Sequence, residues 1–295
     1  MWKFEVSSNL VGVPWKEVEQ DITWRRTTNY AAALDDYNPY YFDDEQAEGI
    51  VAHPMFVVSL GWPMIISIDQ QLDLKAFNCD RELFHRLVHY TTWIEYEKQL
   101  KPGIKLKIKP TICNMSQQKT GVNCVFKFPA YDANNKLVYT EYMGCLIRDV
   151  GLTGGDKGSF PAEARLNPLP APIWETAVNI SPVFPYVYDG CAGIINPIHT
   201  SPKFAHSVNL PDIVVQGTTT IAFGVREMVR RELLGDPNGV KVISARLTGM
   251  VFPYDRLRVQ LLKREVRDGA THIYFEVLNK DNKPAVTAGY IKVVK

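Results

Sequence analysis

Three blocks of sequence recur in the same order in the two halves of this chain, and any fold it adopts must accommodate that repeat. LDDYNPYYFD (Leu34 to Asp43) aligns with AGIINPIHTS (Ala192 to Ser201), placing Asn38-Pro39 on Asn196-Pro197 at an offset of 158 (38 to 196). GIVAHPMFVVSLG (Gly49 to Gly61) aligns with DIVVQGTTTIAFG (Asp212 to Gly224), with Ile-Val and the terminal glycine identical, at an offset of 163 (61 to 224). PGIKLKI (Pro102 to Ile108) aligns with PYDRLRV (Pro253 to Val259) at an offset of 151 (102 to 253), and both alternate basic with apolar residues, as a strand with one solvated face does. Three collinear blocks read as an old tandem duplication.

Between the copies lies Gly151–Pro172, where four glycines and four prolines interrupt every apolar periodicity and mark a linker. The expected organisation is therefore a first domain over 1–150, a connector over 151–172 and a second domain over 173–295, in keeping with a length that allows two domains of about 150 residues. Each half reads as a loop or short helix around Asn-Pro, one long apolar helix (near Met55–Ile66 and Thr218–Leu233), then a run of strands. The strands are expected at Lys105–Pro110, Asn123–Tyr131 and Tyr139–Arg148, and again at Val242–Thr248, Leu257–Lys263, Ile273–Leu278 and Ala285–Val293. One buried helix followed by antiparallel strands is an α+β pattern.

With 46% hydrophobic residues the chain has ample material for a core, and a net charge of +1 predicts neither a nucleic-acid channel nor a pull toward anionic membranes. The expected partner is a small molecule. Five cysteines (79, 113, 124, 145 and 191) without a CxxC pair fit reduced thiols and a cytoplasmic location, and no zinc pattern appears, so no metal is expected. The amino-terminal segment is interspersed with Lys, Glu and Asp and does not read as a secretory signal. Ile50 to Ile68 runs 19 residues without a charge, yet Pro54, Pro63 and two serines and the absence of basic flanks make it a helix buried inside a globular fold rather than a membrane span.

The segment YDGCAGIINPIHTSPKFAHSVNLPDIVVQGTTTIA, Tyr188 to Ala222, resembles the MaoC-like or (R)-specific enoyl-CoA hydratase family, whose hallmark is Ser-Gly-Asp-x-Asn-Pro-x-His followed by a Pro-Ile-x-His-Gly turn into the central helix. YAAALDDYNPYYFD and GIVAHPMF resemble the divergent amino-terminal partner of two-domain members. The resemblance implies a double hot-dog fold. It also implies a hydro-lyase activity, the reversible syn hydration of a trans-2-enoyl thioester to an (R)-3-hydroxyacyl thioester, with an acyl-CoA or acyl-carrier thioester as substrate, no separate cofactor, and a homodimer or a partner subunit as the assembly.

Carried over residue by residue, the family's His and Asn fall on His199 and Asn196, and the helix-start glycine on Gly217, whose N–H is suited to a thioester oxyanion. These three form the expected catalytic set. The Asp position is held by Ile194 in the second copy, whereas the first copy keeps an Asp at Asp36 but has Tyr41 where the His belongs and Pro54, without an N–H, where the glycine belongs. Asp36, Tyr41 and Ile194 are thus secondary positions. Asp36 reads as a solvated turn carboxylate and Asn38-Pro39 as turn chemistry. The basic residues Lys105, Lys107, Lys109, Arg230 and Arg231 read as a solvated surface, and Phe184 to Tyr188 as an aromatic-lined entrance to the site. Two alternatives remain open: a hot-dog thioesterase, which usually places an Asp or Glu on the central helix, and a non-catalytic acyl-CoA-binding subunit.

Overall fold

The fold is described from a computed structural model covering residues 2–77 and 79–294, so the outermost ends of the expected domains, Met1 and Lys295, lie outside the described residues. The first half runs β1 (Phe4–Ser7), β2 (Val18–Asp21), α1 (Trp24–Ala33), α2 (Pro39–Phe42), α3 (Val58–Ile66), α4 (Ile68–Gln71), β3 (Leu87–Tyr96), β4 (Lys105–Ile108), β5 (Thr111–Gln118), β6 (Gly121–Tyr131) and β7 (Leu137–Arg148). After β8 (Val150–Thr153) and β9 (Lys157–Gly158), the second half runs β10 (Trp174–Asn179), α5 (Phe184–Ala192), α6 (Pro202–Ser207), α7 (Gly217–Glu232), β11 (Val240–Leu247), β12 (Arg256–Arg267), β13 (Ala270–Leu278) and β14 (Pro284–Val293). All seven strands expected from the sequence are present. In β4, for example, the two lysines are exposed while Leu106 and Ile108 are buried.

Apart from β1 and β8, which form a two-stranded sheet of their own, the strands join into one large sheet in the order β10-β12-β13-β14-β11-β3-β7-β6-β4-β2, with β5 also on β6 and β9 on β5. Read outward from the β11–β3 pair, the second half gives β11, β14, β13, β12, β10 and the first half gives β3, β7, β6, then β4 and β5, then β2. The order is the same, so the duplicated sequence builds a duplicated unit and the two units share an antiparallel seam. The counterpart of the continuous β12 is split into β4 and β5 around Lys109-Pro110, where proline has no N–H for the ladder.

A long helix lies across each unit's sheet, as the resemblance to hot-dog proteins implies. The terminal glycine of the second repeat block explains how closely it lies. A Cβ on Gly224 would overlap the Phe275 ring of β13, and one on Gly61 would stand 2.6 Å from a Glu141 carboxyl oxygen and 3.3 Å from the Phe128 ring of β6. Only glycine permits that approach at both equivalent places. The Asn-Pro pair also recurs in structure: Asn38 Oδ1 accepts the Tyr40 N–H at 3.1 Å, Asn196 Oδ1 accepts the Ile198 N–H at 3.2 Å, and each proline opens the short helix that follows. Tyr30 of α1 and Tyr188 of α5, 158 residues apart like the two Asn-Pro pairs, meet with their hydroxyls 3.2 Å apart.

Several expectations need correction. The first long helix starts at Val58 rather than Met55, because His53 Nδ1 takes the Met55 N–H at 3.0 Å and Pro54 to Val57 form tight turns instead. The segment Gly151–Pro172 is not free of structure, since β8 pairs parallel with β1 and β9 pairs with β5. Lys105, Lys107 and Lys109 face Glu17, Glu19 and Asp21 across the edge of the sheet, as solvated ion pairs. Among the described residues no helix is long and apolar enough to cross a membrane.

Two stability outcomes follow from this packing. Gly224→Ala forces the helix or the Phe275 ring to shift, and we expect a loss of about 1–3 kcal/mol in denaturant unfolding, the usual range for overpacking. Glu141 is fully buried on β7, neither carboxyl oxygen has a hydrogen-bond partner, and burial pushes the carboxyl up from 4.5 to about 8. The folded chain therefore holds a proton that the unfolded chain releases, so this group's contribution is full below about pH 4.5 and is lost as pH rises through about 8. We expect Glu141→Gln to unfold at higher denaturant than the parent at pH 9 and at nearly the same denaturant at pH 4.5.

Candidate active site

The turn Pro197–His199 follows α5, which ends at Gly193 in the left-handed region (φ 65°) with its N–H returned to the Asp189 carbonyl at 3.0 Å. The Asn196 side-chain oxygen caps the turn, which fixes the start of this loop. A second tie fixes the next segment: the Val214 N–H reaches the Ile198 carbonyl at 3.1 Å, and His199 Nδ1 lies 2.7 Å from the Val214 carbonyl.

A carbonyl oxygen only accepts, so His199 Nδ1 carries the proton and donates it. In the neutral ring Nε2 is then a free lone pair. Burial pushes His199 down to about 4, against a smaller opposing effect of the Val214 carbonyl, so the ring is neutral near pH 7. Val214 is its one hydrogen-bond partner, and no carboxylate forms an ion pair with it among the described residues.

α7 begins three residues after Val214. Its first residue is Gly217, and no side chain caps its amino terminus, so backbone N–H groups at the positive end of a 16-residue helix are left for another acceptor. The preceding Gln216 is buried. Its Nε2 donates to the Pro185 carbonyl at 3.0 Å, and its Oε1 has no partner.

His199, Asn196, Gly217 and Ile194 all line one cavity of about 380 Å³. The first half contributes Trp62 of α3, Leu87, Val88, His89 and Tyr90 of β3 and Leu146 of β7 to the same lining. The cavity therefore straddles the seam between β11 and β3.

Asp36 and Tyr41 lie elsewhere. Asp36 is buried, not solvated, with Oδ2 3.7 Å from His53 Nε2, because α7 of the other half covers it; Arg226 there donates to the Leu34 carbonyl at 2.6 Å. Burial raises Asp36 to about 6 against the pull of Arg226, and burial lowers His53 to about 3. The pair sits at 3.7 Å beneath fully buried Tyr41, and none of the three lines the His199 cavity. The aromatic run Phe184 to Tyr188 does not line it either: Phe184 packs on Phe223, and Tyr188 is fully buried with its hydroxyl 3.0 Å from Thr218 Oγ1. Sequence reading also passed over the Gln216 side chain, Trp62 and His89, since only the fold brings β3 and α3 against α7.

The second half, residues 175–283, matches the family described as MaoC like domain, and residues 9–140 match the FAS1-like dehydratase domain region. The two matches take in both units of the fold. The chain belongs to the MaoC-like dehydratase and enoyl-CoA hydratase 2 family. It is 23% identical over 236 residues to the peroxisomal enoyl-CoA hydratase 2 of Arabidopsis thaliana, covering 77% of this chain and 74% of that protein. The crystal structure of a MaoC-like dehydratase from Phytophthora capsici superposes with a TM-score of 0.82 at 17% identity, over 97% of this chain and 98% of that one. A double hot-dog protein of Mycobacterium tuberculosis superposes with a TM-score of 0.60 at 13% identity, over 96% of both chains. As a member of this family the chain has the α+β double hot-dog fold.

The state of His199 is open to direct measurement. We expect NMR titration of its ring to show a neutral imidazole protonated on Nδ1, with a midpoint near 4 instead of the ordinary 6.5. A midpoint at or above 6.5 would mean that an acidic partner reaches the ring.

Proposed function

We propose that this MaoC-like protein hydrates trans-2-enoyl thioesters to (R)-3-hydroxyacyl thioesters, and catalyses the reverse dehydration, with His199 as the one acid–base group. The observation that carries this reading is the free Nε2 of His199 in the same cavity as the uncapped start of α7. The unit boundaries belong to the same reading: a first unit over 1–150 that walls the acyl side, a connector over 151–172, and a second unit over 173–295 that holds the chemistry.

In the hydration direction, His199 Nε2 takes a proton from water as the water oxygen bonds to Cβ of the substrate. The electron pair of the double bond moves through Cα onto the thioester oxygen, where the Gly217 N–H and the positive end of α7 meet the developing charge. The imidazolium then returns its proton to Cα on the face from which water was added, which gives syn addition and restores the ring. Gln216 Oε1, an unpartnered acceptor in the same cavity, holds the second hydrogen of the water. Asn196 acts as a positioning residue, because its side-chain oxygen is committed to the turn that carries His199. Ile194 leaves the ring without the carboxylate that the family resemblance implies, so the rate should fall below that of relatives with the full dyad.

The thioesterase alternative wants a carboxylate on the central helix at the cavity. The one buried carboxylate of α7, Glu227, is held by Arg226 at 2.9 Å and Arg231 at 3.2 Å and does not line the cavity. α3 carries none.

The test is hydration of crotonyl-CoA and longer enoyl-CoAs by the purified chain, read by loss of the enoyl absorbance. His199→Ala should lower kcat/KM by roughly 100-fold or more with the fold intact, the scale of lost acid–base catalysis. Asp36→Ala should leave the rate nearly unchanged, and Ile194→Asp should raise it roughly tenfold if the new carboxylate pairs with the imidazolium. Full turnover by His199→Ala would take the acid–base role away from His199, binding of enoyl-CoA by the parent without turnover would leave only the acyl-binding reading, and thiol release without hydration would replace hydratase by thioesterase.

A further inference from the structure

The part of the cavity lining that the first half contributes is apolar apart from the side chains of Trp62, His89 and Tyr90. The Tyr90 hydroxyl is taken up by Arg246, which is itself paired with Glu163. The other two are not satisfied. Trp62 Nε1 and His89 Nδ1 are both buried and without a hydrogen-bond partner. Their rings meet edge to face with centroids 5.5 Å apart.

The roles of the two nitrogens are complementary. His89 Nε2 lies 3.2 Å from the Thr91 carbonyl and 2.9 Å from Thr92 Oγ1, and the carbonyl can only accept, so the proton is on Nε2. Burial lowers His89 to about 4, which keeps the ring neutral and leaves Nδ1 a lone pair in search of a donor. The indole N–H of Trp62 is a donor in search of an acceptor. Buried polar groups of native proteins are almost always paired, so a donor and an acceptor left without partners on two touching rings of the cavity lining describe what the cavity takes.

A ketone or carboxylate oxygen answers the indole but has no hydrogen for the imidazole. A hydroxyl oxygen answers both with one atom. We propose that Trp62 and His89 form a specificity subsite for a hydroxyl group carried on the acyl portion of the thioester, beyond the reacting carbons. The inference rests on the enoyl-thioester reading above and names the substrate class within it: hydroxylated acyl chains.

Sites built to hydrogen-bond a hydroxyl discriminate strongly against analogues that lack it, because the unpaired groups stay buried in the complex. The test compares kcat/KM for trans-2-enoyl-CoAs of six, eight and ten carbons, each with and without a terminal hydroxyl, using the full chain. At one chain length at least, the hydroxylated substrate should be favoured tenfold or more. Trp62→Phe, which keeps the ring and removes the donor, should reduce that preference to below threefold, read as the ratio of kcat/KM for the two members of a pair so that any general change in rate cancels. His89→Phe is the second variant and should do the same if Trp62→Phe fails to fold.

Hydration of the plain substrates with equal rates for both members of every pair would overturn the subsite and leave the two nitrogens to a bound water. A preference that survives both variants would overturn its assignment to these residues. Hydration of none of the substrates would overturn the hydratase reading, and the subsite with it.

Discussion

Backbone pairing between Thr91–Glu95 of β3 and Val242–Arg246 of β11 is the contact on which the rest of the molecule depends. Either half alone would present that strand as an open edge, a row of unpaired N–H and C=O groups that invites aggregation. Joined, the two edges satisfy each other, and one hydrophobic core continues from the first unit into the second. On the helical side the same relation brings Tyr30 against Tyr188 at the centre of the duplication. The cavity exists because of this seam. The Asn196–Gly217 region lines one part of it and α3 and β3 line another, so neither unit encloses it by itself.

Duplication produced two equivalent corners, and local chemistry sent them different ways. In the second copy a glycine starts a 16-residue helix with no side-chain cap, and the space before it is open. In the first copy proline stands at that position, the neighbouring His53 ring captures the next N–H, and the helix is delayed to Val58. Arg226 of α7 then closes over Leu34 and Asp36, and Tyr41 fills the remaining room. A carboxylate drawn to about 6 by burial beside a histidine driven to about 3 is a closed pair, without the open face a substrate needs.

How much of this was legible in the sequence depended on whether the cause was local. β4 and the start of β12 announce themselves by alternating basic and apolar residues, β6, β7, β11, β13 and β14 by their place in the run of strands after each helix, and the Asn-Pro caps by their own turn chemistry. The terminal glycine of the second block was legible as a match, although its reason, the Phe275 and Phe128 rings beneath it, was not. β3 was missed because LVHYTTWIEY mixes buried and half-buried residues without clean alternation, and β10 because it is an edge strand of mostly exposed residues. Asp36 read as solvated because the helix that covers it lies about 190 residues away, at Arg226. His199, Asn196, Gly217 and Ile194 were legible as neighbours through the family motif, whereas Trp62 and His89 reach the cavity only through the seam.

Among the described residues no carboxylate pairs with His199, and this sets the energetic problem of the proposed reaction. Lowering the imidazole from 6.5 to about 4 makes its protonated form less favourable by roughly 3 kcal/mol. A neighbouring Asp would offset that in the resting protein, but it would also stand in the cavity before any substrate arrives. The enolate that forms on proton transfer is itself an anion in the same cavity. Two unit charges about 4 Å apart attract by about 4 kcal/mol at the effective dielectric of a protein site. The two magnitudes are comparable, so the substrate can act as the missing counter-ion. That stabilisation exists only once the reaction has begun, which is the condition for an interaction to accelerate the chemical step instead of merely tightening binding. A histidine with no acidic partner among the described residues, in one cavity with an uncapped helix start, is consistent with acid–base work in which both charges appear and disappear together.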